Sequence, residues 1–309
     1  MNYSNIIKDI INYNYGNDIK NSIHIAYGID NNYARCMATS IASFCINNKN
    51  INITFHVIVA DLEKETKYRL NKLASDFRVN IIIYEIDSFL FENMPIKHDI
   101  SIATYFRIIL PKILNNINTL YYIDADIICI HEAINLFNIK LEDKIIAAIP
   151  DKNSLGIKRN KSLNLNNHIY FNAGVLIINL PQWNKINTSD TILKIIDKYK
   201  NIIEYEDQDA LNIALSGRVK YIDRKFNCMS INSINDKDII LLHFANQPKP
   251  WNKYWNLNIM NNSFTKNLYS SYEKYTPWKN DSYLVCKNHT QIIKWLVKKF
   301  LFEIKIYRG

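Results

Sequence analysis

The sequence predicts an α/β fold with a mostly parallel central sheet flanked by helices. Three observations predict it. Strand-like and helix-like segments alternate from residue 22 to residue 86. The strands are near-continuous apolar runs, as in NITFHVIVA (52–60) and VNIIIYEI (79–86), and such runs suit strands buried on both faces. Polar residues able to do chemistry, Asp30, Asp124, Asp126 and His243, fall where strands run out. In open α/β sheets that edge is where ligands bind.

Taken in order, residues 1–20 read as a polar leader with one helix. SIHIAYG (22–28) reads as a strand, 33–46 as a helix, 52–60 as a strand rich in β-branched and aromatic residues, 62–76 as a helix and 79–86 as a strand. Residues 101–114 form a helix, followed by the strand YYIDADI (121–127). IIAAI (145–149) is a short strand. The Asn-, Lys- and Ser-rich stretch 151–168 is expected to be a mobile loop, long enough for a lid or a tolerated insertion. YFNAGVLIINL (170–180) is a strand, and Pro181 suits the first turn of the helix after it. EDQDALNIALSG (206–217) reads as a helix with acids in its first turn and Gly217 as its stop. DIILLHF (238–244) is a buried strand ending on His243. From about residue 256 the strands disappear. The division expected is therefore a leader over 1–20, an α/β domain over 21–255 and a helical extension over 256–309.

Composition narrows the function. The 309 residues are 48% hydrophobic and carry a net charge of +9. That balance suits an anionic partner such as a nucleotide, a nucleic acid or an acidic membrane. No RNP, zinc-finger or helix-turn-helix pattern accompanies it, so nucleic acid is not an expected partner. Only six glycines occur, and neither G-x-G-x-x-G nor G-x-x-x-x-G-K-[ST] is present. A bound nucleotide would need another way to hold its phosphates, and a metal would serve. Five cysteines without C-x-x-C spacing argue against a disulfide framework and a cysteine zinc site. A reducing cytosolic compartment is expected. The start MNYSNIIKDIINYNYG has no basic n-region and no apolar h-region, so no signal peptide is expected. No apolar run is long enough to span a bilayer.

Asp124 and Asp126 flank the small Ala125. On an extended backbone, residues two apart point the same way. Two such acids must share protons, bind water or hold a cation, and a hard divalent metal is the natural partner. With His243 they make a set suited to Mn²⁺. In HFANQPKPW (243–251), Lys249 stands between Pro248 and Pro250. It is either a solvated lysine in a stiff turn or a rigidly aimed phosphate clamp. Asp207 and Gln208 either cap a helix or project into a site and touch a sugar.

Six segments, IAYGIDNNY (25–33), ISIATYFR (100–107), YYIDADI, YFNAGVLIINL, EDQDALN (206–212) and HFANQPKPW, together resemble glycosyltransferase family 8. Within it the chain is most similar to bacterial enzymes that add hexoses to the lipopolysaccharide core and to the lipooligosaccharide galactosyltransferase. TPWKNDS (276–282) extends the likeness more weakly. The resemblance implies a GT-A fold, a UDP-hexose donor, glucose or galactose, and a retained α-linked product on a lipopolysaccharide-core acceptor. It implies that Asp30, Asn32 and Tyr33 hold uracil and ribose, and that Arg107 contacts the donor. Asp124, Asp126 and His243 would be the ligands of Mn²⁺ or Mg²⁺, with Ala125 between the acids. Asn172, Ala173 and Gly174 would wall the donor sugar, Asp207 and Gln208 would lie at or beneath it, and Lys249 would bind the diphosphate. Asp151 would stand at the acceptor edge. Asn246 departs from the pattern, since relatives carry Gly there.

Gln208 occupies the place where retention of configuration would call for a carboxylate nucleophile. An amide is a poor nucleophile, so same-face attack is expected, with Asp207 as the fallback nucleophile. Transfer to another glycan or a protein, and a non-catalytic UDP-sugar-binding module, are the rival readings. The tail TQIIKWLVKKFLFEIKIYR (290–308) places Ile292, Ile293, Leu296, Phe300 and Ile304 near helical spacing, widened by Val297 and Leu301. Lys294, Lys298, Lys299, Lys305 and Arg308 add charge, and Trp295 and Tyr307 suit a water–lipid boundary. This is the pattern of a helix on the anionic inner face of the cytoplasmic membrane. The other outcome is a helix that docks its stripe on the catalytic domain.

Overall fold

The chain's architecture comes from a computed structural model that describes residues 6–96, 101–165, 168–229 and 238–307. Eight strands form one sheet: β1 (Ile7–Asn14), β2 (Ile23–Gly28), β3 (Ile53–Val59), β4 (Asn80–Ile86), β5 (Thr119–Ile123), β7 (Ile146–Pro150), β8 (Phe171–Asn179) and β9 (Val219–Tyr221). Their order is β1-β4-β3-β2-β5-β8-β7-β9. The pairs β2–β3, β3–β4, β2–β5 and β7–β9 are parallel. Two further strands, β6 (Ile127–Cys129) and β10 (Leu241–His243), make a separate antiparallel ladder.

The near-continuous apolar runs have the expected cause. Successive strand residues face opposite ways, and both faces are covered. Ile25, Tyr27, Val57 and Val59 join one core with Met37 and Ile41 of α1 (Ala34–Asn47) and Leu70 of α2 (Lys64–Phe77). Ala26, Ile58 and Ile82 join the other core with Ile108 of α3 (Phe106–Ile113), Trp183 of α6 (Leu180–Lys185) and Ile192 of α7 (Thr188–Tyr199). The polar residues that do occur in β2 and β3, His24, Thr54 and His56, are buried and hydrogen-bonded within the core.

Three local expectations are corrected. Residues 7–14 are a strand, not part of a helical leader. Ile11 lies opposite Ile83 and Tyr13 opposite Ile81, and both side chains pack on the first core. The period-two placement of Ile11 and Tyr13 outweighs the polar residues between them. Residues 154–162 are a helix, α5 (Ser154–Ser162), not a loop. Its Arg159 is buried, with Nη2 at 2.6 Å from Asp209 Oδ2 and Nη1 at 3.0 Å from Glu204. Gly156 lets α5 close on the chain before it, because a Cβ there would lie 2.0 Å from the Asp151 carbonyl oxygen. Third, the strand carrying Asp124 and Asp126 ends before them, at Ile123.

Beyond residue 255 the chain is helical. α9 (Ser263–Glu273) opens with a capping box between Asn262 and Thr265. A buried ion pair of 2.7 Å between Arg35 and Glu273 ties it to α1. α10 (His289–Tyr307) packs near the turn Trp255–Leu257. Trp295 is buried, so its ring does not face the expected water–lipid boundary. Ile293, Leu296, Val297, Phe300 and Leu301 are exposed. The side chains of Lys305 and Tyr307, and all of Arg308, lie outside the described residues. Among the described residues, no helix is long and apolar enough to cross a membrane.

Candidate active site

Asp124, Ala125 and Asp126 form a turn between β5 and β6, closed by a 3.1 Å hydrogen bond from the Ile127 N–H to the Asp124 carbonyl. The acids converge through this turn, not through strand alternation. β10 then pairs with β6 so that His243 sits opposite Ile127. That short ladder brings a residue from over a hundred positions away beside the acids. His243 Nε2 lies 3.2 Å from Asp126 Oδ1 and 3.9 Å from Asp124 Oδ2. The candidate ligand atoms of the three residues all fall within 4.8 Å of one another.

This donor set fits a divalent cation. Two carboxylates and an imidazole supply oxygen and borderline nitrogen ligands. The space at their meeting point is kept clear by Gly174. A Cβ there would stand 2.7 Å from His243 Cε1 and 2.9 Å from Asp124 Oδ2. Burial works to raise the Asp126 carboxyl, but the charges of Lys249 and His243 outweigh it and hold the group well below the usual carboxylate range.

Two cations serve the acids. Lys249 Nζ, buried, donates to Asp126 Oδ2 at 2.6 Å and to the Phe244 carbonyl at 2.6 Å. Arg107 places Nη2 at 2.9 Å from Asp124 Oδ1 and Nε at 2.9 Å from Asp207 Oδ2. Its Nη1 donates to the Ala173 carbonyl, and its guanidinium lies 4.3 Å from the centre of the Tyr122 ring. The Arg107 guanidinium is thus engaged by protein groups while it also lines the cavity described below. Thr104 Oγ1 donates to Asp207 Oδ1. Burial pushes the Asp207 carboxyl up to about 6, against the opposing pull of Arg107 and Thr104.

A second part of the lining is built of amides. It comes from the start of β8 and from α8 (Glu206–Ala214), whose first residue takes a left-handed φ of 33°. Gln208 Oε1 accepts from the Ala173 N–H at 2.9 Å and from Asn172 Nδ2 at 3.1 Å. Gln208 Nε2 donates to the Tyr170 hydroxyl at 3.1 Å. Asn172 Oδ1 accepts from the Gly174 N–H at 2.9 Å and from Asn227 Nδ2 at 2.7 Å.

Between the walls lies a cavity of about 640 Å³. Asp30, Tyr33, Ala125, Asp151 and Asn246 line it with the groups above. Asn32 does not. It lines a separate cavity of about 440 Å³ beside Arg35 and Trp278. Asp30 accepts the Tyr33 N–H at 3.2 Å and so shapes the turn that carries Tyr33. The Asn246 backbone does not take a positive φ, so it has no need of the glycine that the resemblance implied there. Sequence reasoning missed Thr104, Tyr170 and Asn227. It also missed that Lys298, read only as a tail charge, reaches the cavity lining from α10.

The comparisons agree with this geometry. The model of glycosyl transferase family 8 matches residues 24–255. A lipopolysaccharide 1,2-glucosyltransferase of Escherichia coli is 30% identical over 91% of this chain and 86% of its own length. A lipopolysaccharide 1,3-galactosyltransferase of Salmonella typhimurium is 29% identical over 73% of this chain and 72% of its own. Among solved structures, the galactosyltransferase LgtC in complex with donor and acceptor sugar analogs superposes with a TM-score of 0.72 at 21% identity. It covers 82% of this chain and 96% of that one. That likeness fixes the fold as GT-A.

Proposed function

Because the chain belongs to glycosyl transferase family 8, we propose that it transfers glucose or galactose from a UDP-hexose to a hydroxyl of a lipopolysaccharide or lipooligosaccharide core sugar, in a metal-dependent reaction that retains the α configuration. The observation that carries this reading is the convergence of Asp124, Asp126 and His243 at one end of a cavity walled by Gly174, Gln208 and Lys249. Support for the acceptor comes from the lipopolysaccharide glycosyltransferases to which the chain is similar.

Asp124, Asp126 and His243 would hold Mn²⁺ or Mg²⁺, which when bound supplies Lewis-acid stabilisation to a diphosphate leaving group. Lys249 spends two of its three N–H donors on Asp126 and Phe244, leaving one for a phosphate oxygen. Asp30 and Tyr33, which line the same cavity, would hold the nucleoside end. The Gln208 carbonyl oxygen already accepts two hydrogen bonds, which together with its amide chemistry disfavours a nucleophilic role. Asp207 is held by Arg107 and Thr104, which disfavours it as the fallback. Same-face attack follows, with the leaving phosphate taking the acceptor's proton.

The exposed stripe of α10 supports seating on the anionic inner face of the cytoplasmic membrane, with Lys294 and Lys299 toward lipid headgroups. The reaction is tested by offering UDP-glucose and UDP-galactose to the purified protein with Mn²⁺ and an extracted core acceptor, and weighing the product by mass spectrometry. A hexose added with either donor, and lost with EDTA, is the expected result. Absence of transfer from both donors, or transfer indifferent to EDTA, overturns the reading.

A further inference from the structure

The geometry points to Asn227 as a positioning residue that fixes the tautomer of His243, so that Nε2 faces Asp124 and Asp126 as a bare lone pair. This inference deepens the proposed function and rests on its metal-ligand reading. His243 Nδ1 lies 2.8 Å from Asn227 Oδ1. If that atom is the amide oxygen, Nδ1 must carry a proton, so the neutral ring, the form that can ligate a metal, has its lone pair on Nε2. The question is what fixes the amide's orientation, since oxygen and nitrogen of an Asn look alike in shape.

Donors that cannot be exchanged answer it. The Gly174 N–H is a fixed backbone donor at 2.9 Å from one polar atom of Asn172, which must therefore be its oxygen. That oxygen lies 2.7 Å from Asn227, so the Asn227 atom facing it must be the Nδ2 donor. Oδ1 of Asn227 is then the atom left to face His243. The same logic runs outward. The Ala173 N–H, also backbone, fixes Gln208 Oε1. Gln208 Nε2 then faces the Tyr170 hydroxyl, which donates at 2.6 Å to Asp209, a buried carboxylate held by Arg159. Every link has one donor and one acceptor, and both backbone donors and the carboxylate demand the same direction. The chain of bonds thus couples the orientation of the Gln208 amide in the neutral wall to that of the imidazole in the charged wall. Asn227 reaches His243 because Cys228 bridges Leu242 in parallel. No sequence spacing announces that contact.

The test compares wild type with Asn227→Ala and Asn227→Asp. Nitrogen-15 NMR of the imidazole, above its titration range, reads the tautomer. Calorimetry with Mn²⁺ alone reads affinity. Wild type is expected to hold His243 as the Nδ1–H form. Asn227→Ala is expected to mix the two tautomers and weaken Mn²⁺ binding about 10-fold or more, the usual cost of losing the group behind a histidine ligand. Asn227→Asp keeps an acceptor at Nδ1 and is expected to restore the Nδ1–H tautomer, while its second oxygen meets the Asn172 oxygen and leaves affinity between alanine and wild type. An Nε2–H wild type, or an alanine variant unchanged in tautomer and affinity, overturns the inference. If the alanine variant fails to fold, the wild-type tautomer and the aspartate variant still decide it. Failure of wild type to bind Mn²⁺ would instead sink the metal part of the proposed function, and the tautomer would still judge Asn227.

Discussion

The two walls of the cavity are held in shape by different physics. The wall made by the Asp124–Asp126 turn, Lys249, Arg107 and Asp207 is ionic, and most of its charges are buried. The wall made by Asn172 and Gln208, backed by Tyr170 and Asn227, is neutral, and each of its amides is oriented by partners. Removing one member of a buried ion pair leaves a charge stranded, at a cost of roughly 3–5 kcal/mol. Removing one partner of a neutral hydrogen bond costs roughly 1–3 kcal/mol. The ionic wall should therefore fail abruptly when altered, and the neutral wall by degrees.

The sharpest contrast is expected at the acids. Asp124→Ala and Asp126→Ala should both abolish transfer, as EDTA does. They should differ in stability. Asp126→Ala leaves Lys249 with only the Phe244 carbonyl, whereas Asp124→Ala leaves Arg107 paired with Asp207. Thermal melting should show Asp126→Ala as the less stable of the two. Equal melting temperatures would mean that Lys249 finds water, and that the ionic wall is less closed than its burial indicates.

Gly174 belongs to both walls, because a Cβ there would also meet Asn172 Oδ1 at 2.9 Å. Gly174→Ala should cut kcat/KM by roughly 10²-fold, the scale of an ångström-level misplacement of reacting groups. Melting should move much less. Steady-state kinetics with unchanged kcat/KM would show that His243 and Asn172 can retreat together.

Gln208→Ala removes orientation but no charge, so a slow enzyme is expected, down roughly 10–10²-fold in kcat with the fold intact. Gln208→Glu tests the direction of the network. It sets a carboxylate oxygen against the Tyr170 hydroxyl, whose proton is already committed to Asp209, and should be no better than alanine. A glycosyl adduct trapped on Gln208 or Asp207 in the wild type would refute same-face attack.

Much of this was legible in the sequence. The buried strands declared themselves as apolar runs, and the acids, His243 and Lys249 stood at their ends. What escaped was whatever depends on a distant partner. α5 looked like a loop because the reason for its order, the pair of Arg159 with Asp209, lies fifty residues away. The acids were placed on a strand because YYIDADI reads as one continuous run, while the turn within it is closed by a backbone bond. Asn227 gave no signal, and Trp295 was read from the tail's composition without the surface that covers it. Asn32 was assigned from the resemblance, and the 3₁₀ turn Asn31–Tyr33 places it on the neighbouring cavity.

A milder effect separates the walls by pH. Asp207, with its carboxyl near 6, takes a proton as the pH falls through that value. Arg107 then loses one of its two carboxylate partners, so kcat/KM should fall on the acid side with an apparent pKa near 6. Stability should respond in the opposite sense. A carboxyl raised from 3.8 binds its proton more readily folded than unfolded, so its contribution to stability grows as pH drops from about 6 toward 4. Loss of activity alongside a parallel loss of folded protein would mean that the acid limb reports unfolding and not Asp207. Asp207→Asn should remove the limb from whatever activity remains.

The smallest effect on turnover is expected outside both walls, on the outer face of α10. Phe300 is 62% exposed and Leu296 49% exposed. Neither lines the cavity, unlike Lys298, which lies between them on another side of the helix. A charge placed at Leu296 or Phe300 strands no partner and breaks no hydrogen bond, so transfer to a soluble acceptor should be unchanged. Binding to anionic vesicles should weaken, because the apolar face that would enter the lipid is interrupted while the lysines remain. Changing Lys294 to Glu should weaken it too, by an amount that shrinks at high salt, since each basic residue near such a surface contributes about 1 kcal/mol. Sedimentation with vesicles, run beside the soluble assay, separates the outcomes. Vesicle binding unchanged in Leu296→Asp and Phe300→Asp would remove the membrane role from this face. A fall in soluble turnover would show that α10 shapes the cavity through more than Lys298, and that the two walls are not its only mechanical parts.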